Sequence, residues 1–575
     1  MAVENLITEN IDIWTSAVKT KSTSGRGSSK RLELYGVKKL RELILELAVR
    51  GKLVPQDPND EPASDLLVES LKEKDALIKK GIVKKSRSKK TIKEEHFYDY
   101  PASWVVSRLE DLINVVNGRA YKKAEMLSEG TPILRVGNLF TSNDWYYSDL
   151  QLEADKYIDN GDLIYAWSAS FGPFIWDGGK VIYHYHIWKM DIFRETSLDK
   201  EFSKLFLQAI SERIKASGNG IAMIHMTKER MEKVMHPLPP INEQKQIVNR
   251  VNKLMTLCDQ LEQQTEASVE AHQVLVTTLL DTLTNSANAD ELMQNWARIS
   301  ELFDTLFTTE ESIDQLKQTI LQLAVMGKLV PQDPNDEPAS ELLKRIAEEK
   351  AQLVKEKKIK KQKALPPISE DEKPFELPNG WEWVNLQDIT LLITDGKHGD
   401  CNNQDGSGFY FLSAKDIQKG KLIYDHAREI VESEFEEVHQ RTNLQAGDIC
   451  MVNTGATVGK MAIAEEHHLT RKTTFQKSVA VIKCVKPYIS SHYIALFLES
   501  ETPNLLKKSG GSAINNLLLG DLKKKSTPLP PFSEQQKITQ KVEALLVICE
   551  LLKARLTESQ TTQIHLTDVI AEQSV

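Results

Sequence analysis

Two stretches of the chain place apolar residues at alternating spacings of four and three. After Pro240 these are Ile247, Val251, Leu254, Cys258 and Leu261; after Pro531 they are Ile538, Val542, Leu545, Cys549, Leu552 and Leu556. This is the seam of helices that pack along their length. Each predicts a helix of about 35–40 residues, roughly 55 Å long at about 1.5 Å per residue. A Pro-Pro pair ahead of each stops the preceding chain, and Asn242 or Ser533 is positioned to serve as N-cap. The first seam fades: Thr265, Ser268 and His272 stand where apolar residues are due. Cys258 and Cys549 occupy equivalent places and read as small core residues on the seam.

Elsewhere the pattern is short and β-rich. VIYHYHIWKM (181–190) and KSVAVIKC (477–484) read as strands broken by Gly, Asn and Ser turns, and NGDLIYAW (160–167) pairs with AGDICMVN (446–453). These runs fall in two divergent segments, 97–240 and 373–531, each predicted as α+β with its own core.

The chain is written twice. GKLVPQDPNDEPAS at 51–64 recurs unchanged at 327–340, preceded by LRELILELAV in one copy and LKQTILQLAV in the other. PLPPINEQKQIVNRVNKLMTLC (237–258) matches PLPPFSEQQKITQKVEALLVIC (528–549), and YPASWVVSRLEDL (100–112) rhymes with LPNGWEWVNLQDI (377–389). The period is far beyond that of stacked solenoid repeats. Two similar units about a pseudo-twofold axis are expected. The order is an N-terminal helical region with a basic arm (1–96), a globular segment (97–240) and a long helix (241–285). A linker with a second helical region (286–372), a second globular segment (373–531) and a second long helix (532–575) follow.

Composition narrows the class. The 575 residues allow three or four domains, and 41% apolar with 27% charged residues is ordinary for a globular protein. No apolar run is long enough for a membrane span, the start lacks a signal-peptide pattern, and five single cysteines fit neither a disulfide framework nor a zinc finger. A cytoplasmic location is expected. A net charge of −9 means that any nucleic-acid reader must work through local patches or with basic partners.

Catalytic signatures are missing. GATVGK (455–460) is one residue short of a phosphate loop and carries Met461 where Ser or Thr would hold magnesium, so it reads as a turn between strands. No dinucleotide fingerprint and no adenine-methyltransferase box occurs. Asp371-Glu372-Lys373 lies in an acidic, Pro-rich linker, and His184 and His186 on one face of a predicted strand have no third metal ligand at a recognisable spacing. No metal site is expected.

The basic runs are different. Lys79, Lys80, Lys84, Lys85, Arg87, Lys89 and Lys90 put seven cations in twelve residues, and Lys355, Lys357, Lys358, Lys360, Lys361 and Lys363 repeat the pattern. Two cationic arms ahead of two similar domains suit phosphate contacts, with Lys84, Lys85, Arg87, Lys89, Lys90, Lys358, Lys360, Lys361 and Lys363 as candidates. Candidate base readers in the first segment are Asn117, Arg119, Tyr121, Lys122, Lys123, Arg135, Asn138, Ser168 and Ser170. In the second they are Lys397, His398, Lys415, Asp416, Asn453, Thr454, Thr457 and Lys460. Arg, Lys and Asn carry donors that match guanine and adenine edges; Ser and Thr more often hold phosphates.

Two divergent segments, each opened by P-x-x-W (Pro101/Trp104, Pro378/Trp381) and closed by PLPPxxEQ before a heptad helix, resemble the DNA-specificity subunit of type I restriction-modification systems. The resemblance covers nearly the whole chain. It implies two α+β target-recognition domains joined by long antiparallel helices, each reading half of a split, asymmetric DNA site. It also implies a non-catalytic chain that recruits two modification methyltransferase subunits and two restriction/translocase subunits. S-adenosylmethionine, ATP and Mg2+ would serve those partners, with no cofactor in this chain. A coiled-coil scaffold without nucleic acid is opposed by the size of the β-rich segments. A fused methyltransferase or nuclease is opposed by the missing motifs.

Overall fold

The computed structural model describes residues 3–22, 30–84, 98–168, 170–217, 227–508 and 516–575. The chain divides into two units, 1–268 with 559–575, and 269–558. The first long helix, Ile241–Thr284, is 44 residues long and the second, Phe532–Ser574, is 43, both longer than the seam predicts. Each therefore contributes to both units. The faded seam falls at that division: Ile247, Val251, Leu254 and Cys258 are buried in the core of the first unit, whereas Val276, Leu280 and Leu283 are buried in that of the second.

In the first unit the helix Tyr35–Val49 lies between two helical pieces. Arg41 bonds Asp259 (2.6 Å) and Glu262 (2.8 Å) while Gln56 bonds Glu243 (3.1 Å), so the chain runs opposite to the first long helix. Tyr35 donates to Asp568 (2.7 Å) and Arg50 to the Val575 carbonyl (3.2 Å), so it runs with the tail of the second. The second unit repeats this with Glu310–Val325. Asp314 pairs with Lys553 and Gln332 with Glu534 in opposed directions, while Gln315 meets Thr277 and Lys328 meets the Thr284 carbonyl in the same direction.

The globular segments share a sheet plan. In the first, strands Ile113–Asn117, Ile187–Ile192, Leu163–Ser168 and Ser170–Ile175 form an antiparallel sheet in that order; in the second, Thr390–Asp395, Val479–Cys484, Ile449–Val452 and Met461–Ile463 do the same. A parallel pair accompanies each, Thr131–Leu134 with Val181–Tyr183 and Tyr410–Leu412 with Thr473–Phe475. An antiparallel pair closes each segment against its long helix, Val105–Arg108 with Met235–Leu238 and Glu382–Asn385 with Ser526–Leu529.

The repeated motifs converge on one knot per unit. Gly51 ends its helix at φ +70°, where a side chain is strained, and a Cβ there would lie 2.5 Å from Pro101 and 2.9 Å from Trp104. Gln56 donates to the Gly51 carbonyl (2.8 Å) and to Glu243, which also accepts the Trp104 indole N–H (3.0 Å). The copy has Gly327 at φ +69° against Pro378 and Trp381, with Gln332 and Trp381 both donating to Glu534 (3.0 and 2.9 Å). Gln244 and Gln535 complete it, each donating to the first proline of its Pro-Pro pair (2.8 and 3.0 Å).

Two local expectations are corrected. Pro240 and Pro531 precede the helices directly, and their carbonyls accept the first helical N–H bonds, from Gln244 and Gln535. Asn242 is thus inside the helix, where its amide donates to Asp60 (2.9 Å), and neither Asn242 nor Ser533 is an N-cap. VIYHYHIWKM is two strands, Val181–Tyr183 and Ile187–Ile192, with a turn at His184–His186.

Candidate nucleic-acid interface

The predicted readers separate into spent and available side chains. Tyr121 is buried in a small apolar cluster and donates to the Tyr183 carbonyl (3.4 Å); burial pushes its hydroxyl up to about 12. Asp416 is buried and accepts from the backbone N–H (2.8 Å) and hydroxyl (2.9 Å) of Ser413. Both side chains are buried and hydrogen-bonded within their own segments. Asn138 fills the equivalent place in the first segment, accepting from the Arg135 N–H (3.1 Å) and donating to the Asp144 carbonyl (2.8 Å). Arg135 stacks on Tyr146, its guanidinium 4.3 Å from the ring centre, and also donates to Asp144.

Asn117, Lys122, Lys123, Lys415 and Lys460 are exposed. Arg119 forms an ion pair with Glu125 (2.7 Å), whose carboxyl is held below the usual range by that guanidinium. Lys397 pairs with Glu437 (3.2 Å) and His398 with Asp395 (2.8 Å). Thr454 donates to Asn516 (2.9 Å), and Thr457 lies in the turn 453–460 between strands Ile449–Val452 and Met461–Ile463, as GATVGK predicts. Ser168 ends its strand half-buried, and Ser170 begins the next. Asn453 is 4% exposed and its side-chain oxygen has no hydrogen-bond partner among the described residues.

Of the phosphate candidates, Lys85, Arg87, Lys89 and Lys90 lie outside the described residues, and Lys84 is exposed. Lys358 pairs with Glu356 (2.8 Å), and Lys360, Lys361 and Lys363 are exposed. This second run is strapped to its globular segment. Gln387 donates to the Lys363 carbonyl (2.8 Å), Gln362 to the Leu391 carbonyl (3.1 Å), and Lys350 to Gln362 (2.8 Å).

The sequence reading places His184 and His186 on one strand as surface or groove histidines and misses the turn that they flank. Tyr185 is 40% exposed, its ring centre 4.3 Å from that of His184 and 4.0 Å from that of His186, and Trp167 stands 5.0 Å from His186. Burial, with the neighbouring His186 and Arg135 charges, lowers His184 to about 4, and burial lowers His186 as well. Neutral imidazoles both donate and accept. The signal was the run of three ring residues, which the strand pattern absorbed. Among the described residues no cluster of potential metal ligands is present, and no helix is long and apolar enough to cross a membrane.

The family model described as the type I restriction modification DNA specificity domain matches residues 101–271 and 378–559. The chain is 40% identical over 604 residues to the type I restriction enzyme EcoEI specificity subunit of Escherichia coli, covering 100% of this chain and 99% of the relative. It is 40% identical over 594 residues to the EcoAI specificity subunit of Escherichia coli, covering 100% of both. The crystal structure of the HsdS subunit from Thermoanaerobacter tengcongensis is similar at 17% identity and a TM-score of 0.38, over 84% of this chain and 98% of that one. The chain belongs to the type I restriction-modification specificity subunit family.

Proposed function

We propose that this chain reads a bipartite, asymmetric site in double-stranded DNA, one globular segment per half-site. It directs methylation or restriction by two modification methyltransferase subunits and two restriction/translocase subunits in the cytoplasm. It performs no chemistry itself; S-adenosylmethionine, ATP and Mg2+ serve the partner subunits. The observation that carries this reading is the doubling: the same knot and the same sheet order recur in both units, while the loops between strands differ in side chain. Base edges are told apart by such side chains, and backbone-positioning contacts are not.

The test is to replace residues 373–531 with the matching segment of a relative and sequence the methylome of cells carrying the full system. One half-site should change and the other should persist. Simultaneous change of both half-sites would defeat the assignment of one segment to one half-site.

A further inference from the structure

The turn at His184–His186 has a counterpart at Gln476–Ser478, and the two are held by the same backbone bonds. Arg119 N–H donates to the Tyr183 carbonyl (3.0 Å), and Lys397 N–H to that of Phe475 (2.8 Å). Tyr185 N–H donates to Arg119 (3.1 Å), and Lys477 N–H to Lys397 (3.0 Å). Gly118 donates to Ile187 and Gly396 to Val479, both at 3.2 Å. His184 donates to Leu134 and Gln476 to Leu412, both at 2.9 Å. Ile187 donates back to His184 (2.9 Å) and Val479 to Gln476 (3.1 Å). Trp167 donates to the His186 carbonyl (3.1 Å) and Asn453 to that of Ser478 (2.9 Å). A Cβ on Gly118 or Gly396 would collide with the carbonyl of His184 or Phe475, so glycine is required at both crossings.

Burial follows the same order. Tyr183 and Phe475 are buried, His184 and Gln476 half-buried, Tyr185 and Lys477 exposed, His186 and Ser478 half-buried, Ile187 and Val479 buried. Only the side chains differ: Arg119 for Lys397, Trp167 for Asn453, and His-Tyr-His for Gln-Lys-Ser. A fixed backbone that presents a different crown in each copy is what two readers of different sequences require. The second crown also carries side chains that match base edges. A Gln carboxamide matches adenine N6 and N7, and a Lys ammonium matches guanine O6 and N7.

We infer that the turns His184–His186 and Gln476–Ser478 are equivalent base-reading crowns, with Tyr185 and Lys477 in matching positions over their respective half-sites. The inference rests on the DNA-reading function proposed above. It assigns specificity to residues that, Gln476 apart, the sequence pattern had placed inside strands.

The experiment uses the complex of the full chain with its methyltransferase subunits. The wild-type site is first mapped by methylome sequencing. Binding is then measured against duplexes each altered at one base pair of that site, for wild type, Tyr185→Ala and Lys477→Ala. Lys477→Ala should lose roughly 5–100-fold of discrimination at one base pair of one half-site. Tyr185→Ala should do so at one base pair of the other. Unchanged discrimination at every base pair, or a uniform weakening across the panel as expected of a phosphate contact, would overturn the inference. A wild-type complex that shows no bipartite site would instead defeat the proposed function.

Discussion

Trp104 donates its indole N–H to Glu243 across 3.0 Å, joining the opening of the first globular segment to the base of the first long helix. Glu243 is 1% exposed and also accepts from Gln56, so three separated motifs depend on one carboxylate. Glu243→Ala should cost about 1–3 kcal/mol, because it leaves the buried Trp104 indole donor unpaired. The loss should appear as a lower thermal midpoint of the first unit. Glu534→Ala should act alike on the second through Trp381 and Gln332.

The same carboxylates carry a pH signature. Burial raises both Glu243 and Glu534, while the N–H donors pull the other way. A raised folded pKa means that the native state takes up the proton more readily than the unfolded chain. The contribution to stability is therefore fully present below the unfolded carboxylate range and is lost as pH rises through the folded value. Glu243→Gln removes the titration. The stability of wild type relative to Glu243→Gln should fall as pH rises across this window. Denaturant midpoints measured at several pH values check it, and a difference that grows with pH would contradict the assigned direction.

Gly51 and Gly327 stand at positive φ with proline and tryptophan rings against the site of the missing side chain. Gly51→Ala combines left-handed strain with a ring collision. It should destabilise by about 1–3 kcal/mol, well beyond the gain that alanine brings at a compatible site. Gly81→Ala is the control, because it shares the positive φ but has no neighbour within 4 Å. Urea midpoints of the two variants should differ clearly.

The long helices and the duplication were legible because both are periodic in sequence. Ile247, Val251, Leu254 and Cys258 are all buried on the predicted seam. The knot was legible only in parts. Nothing local in GKLVPQ, P-x-x-W or PLPPxxEQ says that the three meet, because their contacts span 187 positions for Gln56–Glu243 and 139 for Trp104–Glu243. The turn His184–His186 was hidden for a related reason. It contains no Gly, Pro or Asn, its residues suit strands, and its bend is imposed from outside by Arg119 and Leu134. Asp416 looked like a loop carboxylate until its two bonds to Ser413 placed it in a cap.

All five cysteines are free and buried. Burial pushes Cys258 and Cys401 up to about 11 and Cys484 up to about 12, and raises Cys450 and Cys549 as well. Thiolate is the reactive form, and burial also blocks access. Native protein should therefore react slowly with a chromogenic disulfide reagent at pH 8, and denatured protein should titrate five thiols. A fast native phase would show an accessible thiol and contradict the burial of at least one of the five cysteines.

The second basic run should set affinity without setting sequence. Lys360, Lys361 and Lys363 are exposed, and the strap through Gln362 and Gln387 holds their backbone against the globular segment instead of leaving a loose arm. Cations fixed in this way suit phosphates along a duplex held by that segment. Each phosphate contact contributes about 0.9 to the slope of log affinity against log salt. Changing all three lysines to Gln should lower the slope for the methyltransferase complex by up to about three, through the loss of three such contacts. Phosphate contacts carry no base information, so the methylated motif should stay the same. Binding over a salt series, with methylome sequencing of the same variant, separates the outcomes. A smaller slope with the old motif places these lysines on the DNA backbone, an unchanged slope leaves them as solvated surface, and a changed motif would make them readers.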